Sequence, residues 1–110
     1  MAKYIVEIAS DKQASDIVML DLGSVSLIAD YFVICSAGSE RQLSALRDDI
    51  VKAVRNDDSK RRTRVEGDGS SGWVLLDFGD VIVHIFGEGE REFYGLERFW
   101  SEARPVVQIQ

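Results

Sequence analysis

The sequence predicts an α/β fold: a single mixed β-sheet of about five strands with flanking helices. First, two apolar, β-branched runs, residues 73–78 and 81–86, flank a Gly-Asp pair at 79–80. This pattern is typical of a β-hairpin, because glycine readily adopts the positive φ of a tight two-residue turn. Second, residues 30–37 are almost continuously apolar, as in a central strand. Third, apolar residues recur every three or four positions between residues 43 and 54, which predicts a helix.

The first half of the chain begins with a predicted short amphipathic helix, residues 2–10, whose apolar side chains share one face. Residues 16–22 follow as a strand with apolar side chains on both sides. After the strand at 30–37, Ser39 and Gln42 have the spacing of a capping box, so the main helix should begin there. Its apolar stripe consists of Leu43, Leu46, Ile50 and Val54.

The second half of the chain supplies three further strands and a helix. Polar residues 56–59 should end the main helix, and residues 60–66 are predicted to be an edge strand, because charges oppose edge-to-edge pairing. Residues 67–72 form a Gly/Ser loop that leads to the hairpin. After Gly87 and Gly89 we expect a final helix, which would pack on the sheet through a stripe of Phe93, Leu96 and Trp100.

The bulk composition indicates one domain, residues 1–110. The net charge of −6 disfavours bare nucleic acid as the main ligand and favours a basic protein partner. The single cysteine excludes an internal disulfide and suits a reducing compartment. We expect a cytoplasmic protein without a membrane span, since no apolar run approaches about 18 residues and the N-terminal segment is too charged for a signal peptide.

Cys35 and His84, the one cysteine and the one histidine, are the first candidates for catalysis. Both fall inside apolar strands, where a cysteine usually packs as a small hydrophobic side chain. Nothing in the surrounding sequence makes Cys35 electropositive or exposed, so we favour packing over catalysis. A metal site needs several convergent ligands, so we expect no bound metal.

Asp77 and Asp80 are the more serious candidates for chemistry. Two carboxylates with a Gly-Ser pair at a helix start, here Gly38-Ser39, would suit magnesium-dependent nucleotidyl transfer. However, the two aspartates are separated by the turn glycine and cannot share one face of a strand, and Gly38-Ser39 is better explained as a helix cap. We therefore predict that the chain is not an enzyme and uses no cofactor, with a nucleotidyltransferase-like enzyme as the alternative function.

Two further features have a structural and a functional interpretation. The basic cluster at residues 60–64 could contact phosphate, but it contains no interleaved aromatic residue, so we favour a solvated edge strand. Trp73 either packs in the core or anchors a protein interface, where Trp, Tyr and Arg are over-represented among hot spots. Arg91 and Tyr94, in the predicted final helix, allow the same two interpretations.

Several motifs together resemble a known family. The first half contains Asp-Ile at 16–17, Leu-Asp at 20–21, Ala-Asp-Tyr-Phe-Val-Ile at 29–34 and Gly-Ser-Glu-Arg-Gln at 38–42. The second half contains Leu-Leu-Asp-Phe-Gly-Asp-Val-Ile-Val-His-Ile at 75–85, which is the most specific part, and then Arg91, Tyr94, Leu96, Glu97 and Trp100. Over about residues 3–102 the chain resembles the ribosomal silencing factor family (RsfS, also called Iojap-like).

This resemblance implies a translation repressor with a nucleotidyltransferase-like fold and no known catalysis. Such a protein would bind the large ribosomal subunit through large-subunit ribosomal protein number fourteen and block joining of the small subunit sterically. The resemblance also implies a homodimer when free. From the basic cluster at residues 60–64 we expect at most a minor contact with ribosomal RNA. It places the partner-binding surface on the hairpin strands and the last helix, at Trp73, Asp77, Val81, His84, Phe86, Arg91, Tyr94 and Trp100.

Overall fold

Two α-helices and six strands make up the part of the chain that the computed structural model describes, which is residues 1–23, 29–87 and 104–109. In chain order they are α1 (Ala2–Asp11), β1 (Ser15–Asp21), β2 (Tyr31–Ala37), α2 (Glu40–Asp57), β3 (Arg64–Glu66), β4 (Trp73–Asp77), β5 (Val81–Gly87) and β6 (Arg104–Ile109). The predicted final helix lies outside the described residues.

All six strands form one sheet in the order β3-β4-β5-β2-β1-β6. The central strands β2 and β5 are parallel, and the other neighbouring pairs are antiparallel. The predicted mixed sheet with flanking helices is therefore confirmed, with one described strand more than expected. Strand β6 is absent from the prediction because it contains Pro105, which counts against a strand in the sequence, although a sheet tolerates proline on an edge strand.

Both described helices pack on the same face of the sheet, which we call the helix face. Its core joins the buried stripe of α1 to that of α2 and to alternate strand residues, among them Ile17, Val33, Val83 and Ile85. The opposite face, which we call the aromatic face, has its own buried cluster of Leu20, Leu22, Ala29, Phe32, Ile34, Ile82 and Phe86. The sheet is thus apolar on both sides, as the sequence of β5 indicates.

Helix α2 begins as the capping-box spacing predicts. The Ser39 hydroxyl accepts a hydrogen bond from the backbone amide of Gln42 at 3.1 Å. In return the Gln42 side-chain oxygen accepts from the amide of Gly38 rather than from that of Ser39. The Gln42 side-chain amide also donates to the carbonyl of Gln13 at 3.0 Å, so one residue caps α2 and ties it to the segment after α1.

The loop before the hairpin contains a short 3₁₀ turn, Gly69–Ser71, that lies against α2. Gly69 is buried, and its amide donates to the Ser44 hydroxyl at 3.1 Å. A β-carbon at this position would overlap the carbonyl oxygen of Glu40, which belongs to the helix backbone. The position therefore requires glycine because two backbone segments come into direct contact there.

We expect Gly69→Ala to lower the free energy of unfolding by about 1–3 kcal/mol, since the added methyl group must push the turn away from α2. Chemical denaturation would measure this change. The matched control is Ser70→Ala at the neighbouring exposed position, where the expected loss is below about 1 kcal/mol. Equal stability of the two variants would show that the turn does not depend on this close contact.

Candidate functional site

The hairpin of β4 and β5 turns at Gly79 and Asp80, as predicted. Gly79 has a φ of 95°, and the amide of Phe78 donates to the carbonyl of Val81 at 2.9 Å. The carboxylate of Asp77 accepts from the amide of Gly79 at 2.8 Å, so this side chain helps to form the turn. The local sequence is sufficient for this geometry, because aspartate and glycine supply the hydrogen bond and the positive φ.

Arg61 holds the turn against the rest of the sheet. Its guanidinium donates to the carbonyl of Phe78 at 3.2 Å and forms an ion pair with the carboxylate of Asp80. The carbonyl of Asp80 accepts in turn from the amides of Asp30 and Tyr31, at the start of β2. The ion pair is partly exposed to solvent and joins residues 19 positions apart in sequence. The predicted edge strand is therefore shorter than residues 60–66: it begins only at Arg64, and Arg61 precedes it and contacts the hairpin turn.

Three aromatic rings of the hairpin strands stack on the aromatic face. Trp73 stacks on His84, with ring centroids 5.9 Å apart, and on Phe86, with ring centroids 5.5 Å apart. Phe32, from β2, contacts the His84 ring edge-on at 4.8 Å. The Trp73 indole N–H also donates to Nδ1 of His84 at 3.2 Å. Both stacking and the hydrogen bond therefore orient the Trp73 ring, which remains half-buried.

His84 is 4% exposed within this cluster. Burial lowers its pKa from 6.5 to about 4, because the charged imidazolium would lose its hydration. The ring is therefore neutral near pH 7. Since Nδ1 accepts from Trp73, the proton of the neutral ring lies on Nε2, which is buried without a hydrogen-bond partner.

The structure brings together some of the predicted partner-binding residues and separates others. Trp73, His84 and Phe86 form one cluster, but His84 and Phe86 are buried and only Trp73 is half-buried. Asp77 lies on the same face, two residues beyond Leu75. Val81 is 1% exposed in the core of the helix face, so the structure places it away from this cluster. Arg91, Tyr94 and Trp100 lie outside the described residues.

Leu75 is a surface residue that our reading of the sequence missed. It is half-buried, packs against the aromatic-face cluster and lies between Trp73 and Asp77 on the same side of β4. Strand alternation alone would have identified it. On the neighbouring edge strand, Arg64 and Glu66 lie opposite Asp77 and Leu75 and form an ion pair at 3.1 Å. The described part of this face thus has a half-buried apolar strip with charged side chains beside it.

Cys35 and His84 cannot act as a catalytic pair. The parallel register places His84 beside Ile34, while Cys35 lies beside Ile85. Because successive strand residues point to opposite faces, the thiol lies in the core of the helix face and the imidazole lies on the aromatic face. The prediction that Cys35 packs as a small buried side chain is confirmed, and the structure buries His84 as well.

The carboxylates of Asp77 and Asp80 are used by the fold, the first by the turn amide and the second by Arg61. Ser39 caps α2, as predicted for the Gly-Ser pair. Within residues 1–23, 29–87 and 104–109, no group of three or more His, Cys, Asp or Glu side chains could hold a metal ion. None of the helices described is long and apolar enough to cross a membrane.

The described residues define an α/β protein with helices on one face of its sheet and an oriented aromatic cluster on the other. Comparison with known proteins gives the family. Residues 1–110 match the family model described as "Ribosomal silencing factor during starvation", and the chain belongs to this family. The resemblance inferred from the sequence motifs is therefore confirmed.

Individual relatives agree with this assignment. The chain is 41% identical to ribosomal silencing factor RsfS of Bacillus subtilis, covering 97% of this chain and 92% of that protein. It is 40% identical to the RsfS protein of Halalkalibacterium halodurans, covering 96% of this chain and 88% of that protein. A crystal structure of a Bacillus halodurans protein superposes with a TM-score of 0.79 at 36% identity, covering 96% of this chain and 94% of that one.

Proposed function

We propose that this chain represses translation by binding the large ribosomal subunit and sterically blocking the small subunit. The observation that carries the proposal is the family match over residues 1–110, because the family is described by silencing of ribosomes during starvation. Steric exclusion requires affinity and bulk but no reaction. We accordingly propose that residues 1–110 act as one regulatory domain in the cytoplasm and not as an enzyme.

We place the protein contact on the aromatic face, and its partner is large-subunit ribosomal protein number fourteen. Trp73 supports this placement, because stacking and its hydrogen bond to His84 orient the ring before any partner arrives. An oriented ring loses little conformational entropy on binding, which is a property of interface hot spots. Leu75 extends the apolar strip, and Arg64 and Glu66 flank it. Arg91, Tyr94 and Trp100 remain part of the proposed contact.

Charge supports the same partner class. The chain carries a net charge of −6, and a ribosomal protein is typically basic. Opposite net charges accelerate association and help to orient the encounter, even when they add little to the final affinity. We also propose that the free protein is a homodimer, as the family resemblance implies.

We expect Trp73→Ala to weaken binding to purified large subunits by about 30-fold, which corresponds to the loss of a typical hot spot of about 2 kcal/mol. Co-sedimentation across a range of subunit concentrations would measure the affinity. The matched control is Trp73→Phe, which keeps an aromatic ring on His84 and Phe86 and should keep most of the affinity.

Thermal melting of both variants must show a folded chain, since Trp73 also packs on the core. A folded Trp73→Ala variant that sediments with large subunits as the wild type does would contradict the placement of the contact. In a second arm, small subunits are added to large subunits pre-incubated with the wild-type chain. If the two subunits join to the same extent with a saturating concentration of the chain as without it, the steric mechanism is refuted.

A further inference from the structure

Positive charge is concentrated in one short part of this acidic chain. Residues 52–64 contain six of the 13 Lys and Arg residues but only two of the 19 Asp and Glu residues. This segment, which we call the basic segment, covers the last third of α2, the connection after it and the first residue of β3. The protein therefore has a basic region within a chain whose net charge is −6.

Only some of these charges are used by the fold. Arg61 pairs with Asp80, and Arg64 pairs with Glu66. The remaining four basic side chains are exposed and form no ion pair with any described residue; they are Lys52, Arg55, Lys60 and Arg62. Exposed cations without partners keep their full charge available to a ligand.

Two of the four line a groove between α2 and β3. The groove has a volume of about 440 Å³, and Lys52 and Arg55 contribute to its wall three positions apart on one helix. Residues three apart on a helix are neighbours on its surface, so both charges act on the same side of α2. Arg47 and Asp48 also line the groove, but they pair with each other at 2.9 Å. The charges of Arg47 and Asp48 therefore cancel, and Lys52 and Arg55 give the groove a net positive charge.

The remaining wall of the groove is partly apolar. Val65, on β3, lines it together with Val51 of α2, and the Val65 side chain is 41% exposed. Because Val65 lies opposite the core residue Leu76, it points to the helix face, whereas Trp73 lies on the aromatic face. The groove and the proposed protein contact are therefore on opposite faces of the sheet.

We propose that this groove docks the sugar–phosphate backbone of ribosomal RNA on the large subunit, as a second contact beside the protein contact. This inference rests on the proposed function. Lys and Arg side chains neutralise phosphates, and an exposed apolar side chain can pack against ribose. Ribosomal proteins are mostly basic and would repel Lys52 and Arg55, so the anionic component of the particle that fits the groove is RNA. The sequence alone favoured a solvated strand, because it did not show that α2 adds cations next to β3.

The test compares two variants with the same net charge. Lys52→Gln with Arg55→Gln removes both groove cations, while Lys3→Gln with Arg41→Gln removes two exposed cations elsewhere. Binding to purified large subunits is measured between about 0.05 and 0.3 M KCl. Each lost phosphate contact should reduce the slope of log affinity against log salt by about 0.7–0.9. For the groove variant we expect the slope of log affinity against log salt to decrease in magnitude by between one and two, and the affinity at low salt to fall about tenfold. The control variant should match the wild type in both quantities.

A second measurement identifies the ligand. A photo-reactive benzophenone amino acid replaces Val65, or Tyr4 as an exposed control on α1, and the complex with large subunits is irradiated. An adduct at position 65 that ribonuclease shortens supports the proposal. Three results would overturn the RNA contact and leave the proposed function intact. They are an adduct at position 65 with protein only, no adduct at position 65, and the same salt dependence of binding in both charge variants. A wild-type chain that does not bind large subunits overturns both.

Discussion

Leu46→Ala is expected to lower the free energy of unfolding by about 2–5 kcal/mol. Leu46 is 1% exposed and lies in the middle of the apolar stripe of α2, between Leu43 and Ile50. The alanine variant loses the transfer free energy of the larger side chain and leaves a cavity, because the sheet beneath and α1 beside it cannot fully close the space. Urea denaturation followed by circular dichroism would measure the change.

The matched control for this prediction is Arg41→Ala, on the first part of the same helix. Arg41 is exposed, and alanine has an equal or better helix propensity, so the expected change is within about 0.5 kcal/mol. A Leu46→Ala midpoint close to that of Arg41→Ala would mean that α2 does not form the main contact of the helix face. Our description of the core would then be wrong.

Acidification is expected to destabilise the fold through His84. The pKa of His84 is about 4 in the folded chain, whereas the ordinary histidine pKa of 6.5 applies to the unfolded chain. Between these values the unfolded chain binds the proton and the folded chain does not, so stability is fully present above pH 6.5 and falls as the pH drops towards 4. The two pKa values correspond to a loss of about 3 kcal/mol over this window.

Denaturation curves at half-unit steps from pH 7.5 to pH 4.5 would measure this loss. His84 is the one histidine of the chain, so between pH 7 and 5.5 no other side chain with an ordinary pKa changes charge. The matched control is His84→Gln, which retains an acceptor for the Trp73 indole N–H but does not titrate. The control should show a nearly flat profile above pH 5.5. The same slope in both proteins would show that His84 is not buried in its neutral form.

The predictions that held were those that depend on local physics. The apolar stripe of α2 follows the helical period, and Ser39 and Gln42 cap its start as their spacing predicts. The turn at Gly79 follows from the positive φ that this residue adopts. The apolar run at 81–86 forms the predicted strand, and its side chains alternate between the helix face and the aromatic face. Each of these signals lies within a few residues of sequence, where the period of the element determines which side chains share a face.

The candidate site was only partly predictable, because it depends on which strands become neighbours. Trp73 and His84 were both named from the sequence, but their hydrogen bond and stacking depend on the antiparallel register of β4 and β5. Val81 was named as a contact residue, and the structure buries it on the helix face. Leu75 lies two residues from Trp73 and packs on the same face, which strand alternation by itself predicts.

The sequence by itself determined the family, the hairpin, the capped main helix and the alternation of the strands, since these follow from short-range patterns and a specific motif. Only the tertiary structure decided that β2 lies beside β5, that β6 extends the sheet and that both described helices cover one face. The tertiary structure also decided that Arg61 forms an ion pair with Asp80, whereas Lys52 and Arg55 line a groove and remain available to a ligand. The physical reason is that these contacts join residues far apart in sequence, and the free energy of burial and pairing selects them only when the whole sheet assembles.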